Sequence, residues 1–220
     1  MVHQILLLEV TLCAAFGFIY GLFRFFRGKS ALYIQMIVFG VGCAMLGRLF
    51  ELLQIVVTGR MEHGFHVGLL GTIGSFLFFF TSNYGQMDSI VDDGSKQFRK
   101  FRLIGMIAPL TIIGLFCVTL IMGARLQTTI TLCVQTVVIA LASYYHLKHL
   151  VIPDVDYGLI KAIRKYNLMA LIYAYLCMAE MIAEAVAWPD AILIVIFSLQ
   201  SLVLLAFVPV LERGVKKWTT

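Results

Sequence analysis

Seven apolar runs, separated by short polar or basic segments, divide the chain from its first residues to its last. About 20 apolar residues make an α-helix long enough to cross the hydrocarbon core, whereas a barrel strand needs only about 10. A backbone in lipid must satisfy its own hydrogen bonds, as a helix or as a closed barrel, and runs of this length select the helix. The pattern therefore predicts an all-α polytopic integral membrane protein, a seven-transmembrane-helix bundle forming a single domain over residues 1–220. The helices are expected at about 4–26, 31–57, 65–87, 103–123, 127–148, 167–188 and 190–211. Tight turns around Gly123 and Arg125, and at Trp188, Pro189 and Asp190, leave no room for a further domain. The first run lacks a basic leader and has spanning length, so it reads as a permanent helix and not as a cleaved signal.

Composition agrees: 61% of the residues are hydrophobic, 13% are charged and the mean hydropathy is +0.94, a balance that no water-soluble fold can bury. A net charge of +5 raises nucleic-acid binding as an option. The basic residues, however, flank the apolar runs, where they meet anionic headgroups, and no nucleic-acid partner is expected. The five cysteines (13, 43, 117, 133 and 177) all fall inside apolar runs and form no CxxC pair, so they read as buried packers.

Basic residues concentrate in short cytoplasmic loops. Arg24, Arg27 and Lys29 follow the first helix; Lys96, Arg99, Lys100 and Arg102 follow the third; Lys148, Lys161, Arg164 and Lys165 follow the fifth; Arg213, Lys216 and Lys217 close the chain. With seven helices all four clusters fall on one side and only Arg60 and Arg125 on the other, which predicts the N-terminus outside and the C-terminus cytoplasmic. The compact chain suggests a prokaryotic inner membrane. Small residues recur at close spacing, Gly17 with Gly21, and Gly64 and Gly68 followed by Gly71 and Ser75, as in helices that approach backbone to backbone within one bundle.

Ionisable side chains deep in a span are costly unless paired or hydrated, so each marks a candidate site. Arg48 and Glu51 lie one turn apart on the second helix, and Glu180 and Glu184 one turn apart on the sixth. At 1.5 Å per residue, Arg48 is expected roughly 13 Å and Glu180 about 12 Å below the outer ends of their helices, so the two can meet as an ion pair. Glu51 and Glu184 then sit higher, near the level of Glu9 and His66. Together these six residues outline an outward-facing, carboxylate-rich pocket for a small molecule or ion. One arginine cannot neutralise four carboxylates, and the surplus must be protonated, hydrated or bound to a cation. His63 and His66 could join Glu51 or Glu184 around a metal. His146 and His149 are expected at headgroup level beside Lys148, with no special role.

The polar run from Thr81 to Asp88 leads to Asp92, Asp93, Gly94 and Ser95 and reads as a solvated loop, with Ser95 capping a short basic helix. With Asp154 and Asp156 after the fifth helix, Asp92 and Asp93 outline a docking surface for a cytoplasmic protein partner. The bundle's helix count and orientation resemble those of the rhodopsins, yet the last helix has no lysine for a Schiff base, so no retinal and no other cofactor is expected. HExxH, Walker and GxSxG signatures are missing, which favours a non-enzyme. The reading that follows is a small membrane sensor or partner-regulating module. Its alternatives are a proton- or cation-coupled small-solute transporter, for which a second polar cluster in the inner half is not evident, and an intramembrane enzyme using the outer Glu and His residues.

Overall fold

A computed structural model describes residues 2–28, 30–59, 66–84, 86–122, 126–153 and 158–219. The described residues are helical almost throughout: α1 (Val2–Phe25), α2 (Leu32–Thr58), α3 (Val67–Tyr84), α4 (Gln86–Val91), a 3-10 turn (Lys96–Phe98), α5 (Arg99–Gly105), α6 (Ile107–Ile121), α7 (Leu126–Val151), α8 (Leu159–Ala185) and α9 (Asp190–Thr219). Joined end to end, α3 with α4 and the 3-10 turn with α5 and α6 each form one span, giving seven helices long and apolar enough to cross a membrane.

Several boundaries differ from the sequence expectation: α9 continues to Thr219, eight residues past about 211, and two spans open early because an amphipathic turn hides its apolar face. The α8 helix starts at Leu159, eight residues earlier than about 167, since Ile160, Ile163, Tyr166 and Asn167 fall on one buried face while Lys161, Arg164 and Lys165 point outward. The fourth span opens at Lys96 by the same device, burying Phe98 and leaving Lys96, Arg99 and Lys100 exposed. The polar run after Phe80 is not a loop: α3 runs to Tyr84 with Ser82 and Asn83 fully buried, and α4 follows.

Neighbouring spans alternate in direction. The Val38 side chain lies over Gly21 and the Phe79 ring over Gly40, while Phe76 meets Tyr173 and Gln200 meets Glu180, each between antiparallel helices. Helices α1 and α9 run side by side in the same sense, from His3 against Phe197 to Arg24 against Glu212. We call the end where α1 begins the N-terminal face and the end where α9 finishes the C-terminal face. Glycines also bring α2 and α3 backbone to backbone. A Cβ added at Gly47 would lie 2.6 Å from the Gly68 carbonyl oxygen, and one added at Gly71 would collide with the Gly47 Cα. Only glycine lets the two backbones meet there. The middle of the bundle is aromatic: Phe76 stacks on Tyr173 (5.5 Å) and Phe79 on Phe207 (5.0 Å), with Tyr166 edge-on to both Phe79 and Phe207.

Candidate functional site

The glycine crossing brings α2 deep into the bundle and turns Arg48 and Glu51 toward α8 and α9. Arg48 Nη1 donates to Glu51 Oε2 (2.9 Å) and Glu180 Oε1 (2.6 Å), while Nη2 donates to Glu180 Oε2 and to Gln200 Oε1 (3.1 Å). Gln200 Nε2 in turn donates to Glu180 Oε2 (2.8 Å), so the amide closes a ring around the two-pronged Arg48–Glu180 pair. The Phe197 ring lies 5.3 Å from the guanidinium carbon. All four polar side chains are buried, which makes each hydrogen bond costly to lose.

Around this core the sequence-derived candidates separate. His66 and Glu51 share the hollow over Gly68, since a Cβ there would lie 2.8 Å from His66 Nδ1 and 2.9 Å from Glu51 Oε1. Glu184, one turn beyond Glu180, is exposed, yet stays within electrostatic reach of Glu180 and Glu51. Glu9 does not join them: α1 buries Leu6, Leu7, Val10, Thr11 and Ala14, and Glu9 projects from its exposed side. His63 lies outside the described residues. Among the described residues no three His, Cys, Asp or Glu side chains converge as a metal site. Two residues enter unforeseen. Gln200 is the one that closes the ring, and its signal was a lone amide in an apolar run. His3 packs edge-on against Phe197 (5.4 Å), within electrostatic range of Glu180 and Asp190, with its Nε2 buried and unpartnered among the described residues. Its signal was absent, because the parallel pairing of α1 with α9 is a tertiary fact.

A second buried polar cluster occupies the C-terminal half, and it replaces the solvated-loop reading and draws in His146 and His149, which were expected to have no special role. Both imidazoles are fully buried. Asn83 is the hub: its amide nitrogen stands 2.9 Å from His146 Nδ1 and donates to Asn167 Oδ1 (3.1 Å), while its oxygen lies 3.0 Å from His149 Nδ1. His149 Nε2 faces Asp88 Oδ1 at 3.0 Å. Lys148 Nζ bridges Asp88 (2.6 Å) and Asp92 (2.8 Å) beneath the Tyr144 and Tyr145 rings. Tyr166 and Ser82 join hydroxyls at 3.0 Å on the bundle side.

Because Asp88 accepts from Nε2–H, the Nδ1 of His149 is left to read the Asn83 side chain. A neutral ring accepts from the amide nitrogen there, and a doubly protonated ring donates to the amide oxygen.

The docking-surface residues divide as well. Asp92 is an ion-paired anchor whose side chain is only 4% exposed, held by Lys148 and by Arg102 (3.6 Å), and not a solvated loop charge. Asp93 is exposed; the Ser95 backbone N–H donates to its Oδ1 (2.9 Å), and this bond holds the carboxyl below its usual range. Ser95 makes no side-chain cap; Asp92 and Asp93 instead accept from the Gly94 and Ser95 N–H groups, and Gly94 takes the left-handed turn (φ 80°). Asp154 and Asp156 lie outside the described residues.

Seven spans of this length and hydropathy define the class, an all-α integral membrane bundle. No protein-family model, no curated protein and no solved structure matches the chain.

Proposed function

We propose that the chain is a small membrane sensor or regulator, oriented with its N-terminal face outside and its C-terminal face in the cytoplasm of a prokaryotic inner membrane. Its input is a proton or a small cation at the Arg48–Glu51–Glu180 cluster. One guanidinium meets two carboxylates there, with Glu184 close by, so the cluster carries surplus negative charge that a proton, a cation or an imidazolium from His3 or His66 cancels. The observation that carries the reading is that one helix holds both polar clusters: α8 supplies Glu180 to the first and Asn167 to the second. The two residues are about 20 Å apart along a single helix axis. A change of charge at Glu180 therefore moves a rigid element whose other end is locked into the Asn83 hub. The output surface is the C-terminal face around Asp92, Asp93 and the start of α8, where a protein partner docks.

The test labels the start of α8 at position 161 with an environment-sensitive probe in proteoliposomes. Lowering the pH or adding a cation on the N-terminal side should shift the signal, and Glu51→Gln should abolish the shift. A probe that ignores the external medium in the parent protein would end this reading.

A proton-coupled transporter is the second reading, favoured by the His146–Asn83–His149–Asp88 chain, which provides proton-exchanging groups in the half of the bundle opposite Glu180. A pH-sensitive dye trapped inside the same liposomes separates the two, since only a transporter dissipates an imposed gradient.

A further inference from the structure

At the C-terminal face, where the spans of α1, α2 and α9 end together, a crevice of about 330 Å³ opens between them. Its polar lining is made of Arg24, Ser30, Tyr33, Glu212 and Lys216, and its floor is apolar, from Phe25, Ile34 and Val215. We propose that this crevice binds the phosphodiester headgroup of an anionic phospholipid.

Its donors and charges fit that ligand. Glu212 is the sole carboxylate in the lining and is already engaged, by the Tyr20 hydroxyl, by Arg24 Nε and by Lys216 Nζ (2.7 Å). Arg24 spends only Nε on that bond, which leaves both Nη groups with no protein partner among the described residues, on a side chain that is 48% exposed. The Tyr33 hydroxyl is buried with no hydrogen-bond partner among the described residues. Ser30 Oγ accepts from Gln35 Nε2 (3.1 Å), so its own proton is directed elsewhere. The crevice thus presents hydroxyl and guanidinium donors beside a carboxylate that is already engaged. Two cations and one carboxylate sum to one positive charge, which a singly charged phosphodiester cancels.

Position and size select a lipid over a soluble anion. The crevice lies at the level where three apolar spans stop, which is headgroup depth. Its apolar floor suits the glycerol and the first methylenes of a lipid. The volume is at the low end of the roughly 300–1,000 Å³ found for small-molecule pockets, enough for a headgroup while the acyl chains stay in the bilayer. The inference is independent of the sensor reading, because none of these residues belongs to either buried cluster.

The full-length protein in phosphatidylcholine nanodiscs would be titrated with phosphatidylglycerol and the bound lipid counted by native mass spectrometry. One saturable phosphatidylglycerol is expected, with Arg24→Gln and Tyr33→Phe each weakening it about tenfold. Tyr33→Phe removes a single oxygen and preserves the fold. Arg27→Gln, a basic residue stacked on Phe23 outside the crevice, should change affinity less than about twofold. Equal retention of phosphatidylcholine, an equal loss in Arg27→Gln, or full affinity in Tyr33→Phe would overturn the proposal. Displacement of the lipid by millimolar inorganic phosphate would also overturn it, by assigning the crevice to a soluble anion.

Discussion

Replacing Arg48 with alanine removes the only cation from a buried group of two carboxylates and an amide. Glu180 then keeps one hydrogen bond, from Gln200 Nε2, and Glu51 loses its guanidinium contact altogether. Breaking one side of a buried pair costs about 3–5 kcal/mol, because the stranded charge must ionise without a partner or take up a proton. Glu180→Ala should cost about the same in the opposite sense, leaving the guanidinium with Glu51 and Gln200. The double replacement removes both charges and should recover at least about 2 kcal/mol of the summed single losses. Arg48→Lys keeps the charge but not the fork. A single ammonium cannot span both Glu180 oxygens, Glu51 and Gln200 at once, so a loss of about 1–2 kcal/mol is expected. Reversible unfolding in mixed micelles, followed by the near-ultraviolet signal of the surrounding aromatics, measures each value. An Arg48→Ala protein within about 0.5 kcal/mol of the parent, or a double variant equal to the sum of the singles, would refute the reasoning.

Asp92→Asn and Asp93→Asn should differ although the residues are adjacent. The first removes a carboxylate charge from the buried Lys148 and should lower stability by about 1–3 kcal/mol, while the second, exposed, should stay within about 0.5 kcal/mol, both read by the same unfolding assay. Gly71→Ala drives a methyl group into the Gly47 backbone and should cost about 1–3 kcal/mol, whereas Gly114→Ala, where a Cβ meets nothing within 4 Å, should be neutral or slightly stabilising; equal melting temperatures would show that α2 and α3 do not cross so closely. A cysteine at position 161 should react with a membrane-impermeant maleimide only from the cytoplasmic side, and labelling from outside alone would invert the proposed orientation.

The Arg48 and Glu180 pairing was legible because an unpaired charge in lipid is so costly that an arginine and a glutamate at similar depth are driven toward each other. The C-terminal cluster was hidden for the converse reason. Ser82, Asn83 and Asn167 carry no charge and no periodic signature, and His146 and His149 sit near the end of an apolar run, where interfacial placement is equally cheap. The early start of α8 was missed because counting hydropathy along the chain averages Ile160, Ile163 and Tyr166 with the lysines and the arginine between them, while the folded helix separates the two sets onto opposite faces.

By itself, then, the sequence determined the seven helices, the burial of Arg48, Glu51 and Glu180, and the close approach of glycine-rich segments, since each follows from the price of placing polar groups or backbone in hydrocarbon. Only the tertiary structure decided that α1 runs beside α9, bringing His3 to Phe197 and Glu212 to Arg24, that Glu9 faces outward, and that Asn83 joins two histidines and a second asparagine. Those are choices of neighbour and of rotation. Apolar helices are nearly interchangeable to the lipid around them, so neighbour and rotation are set by side-chain fit and by hydrogen bonds between residues far apart in the chain.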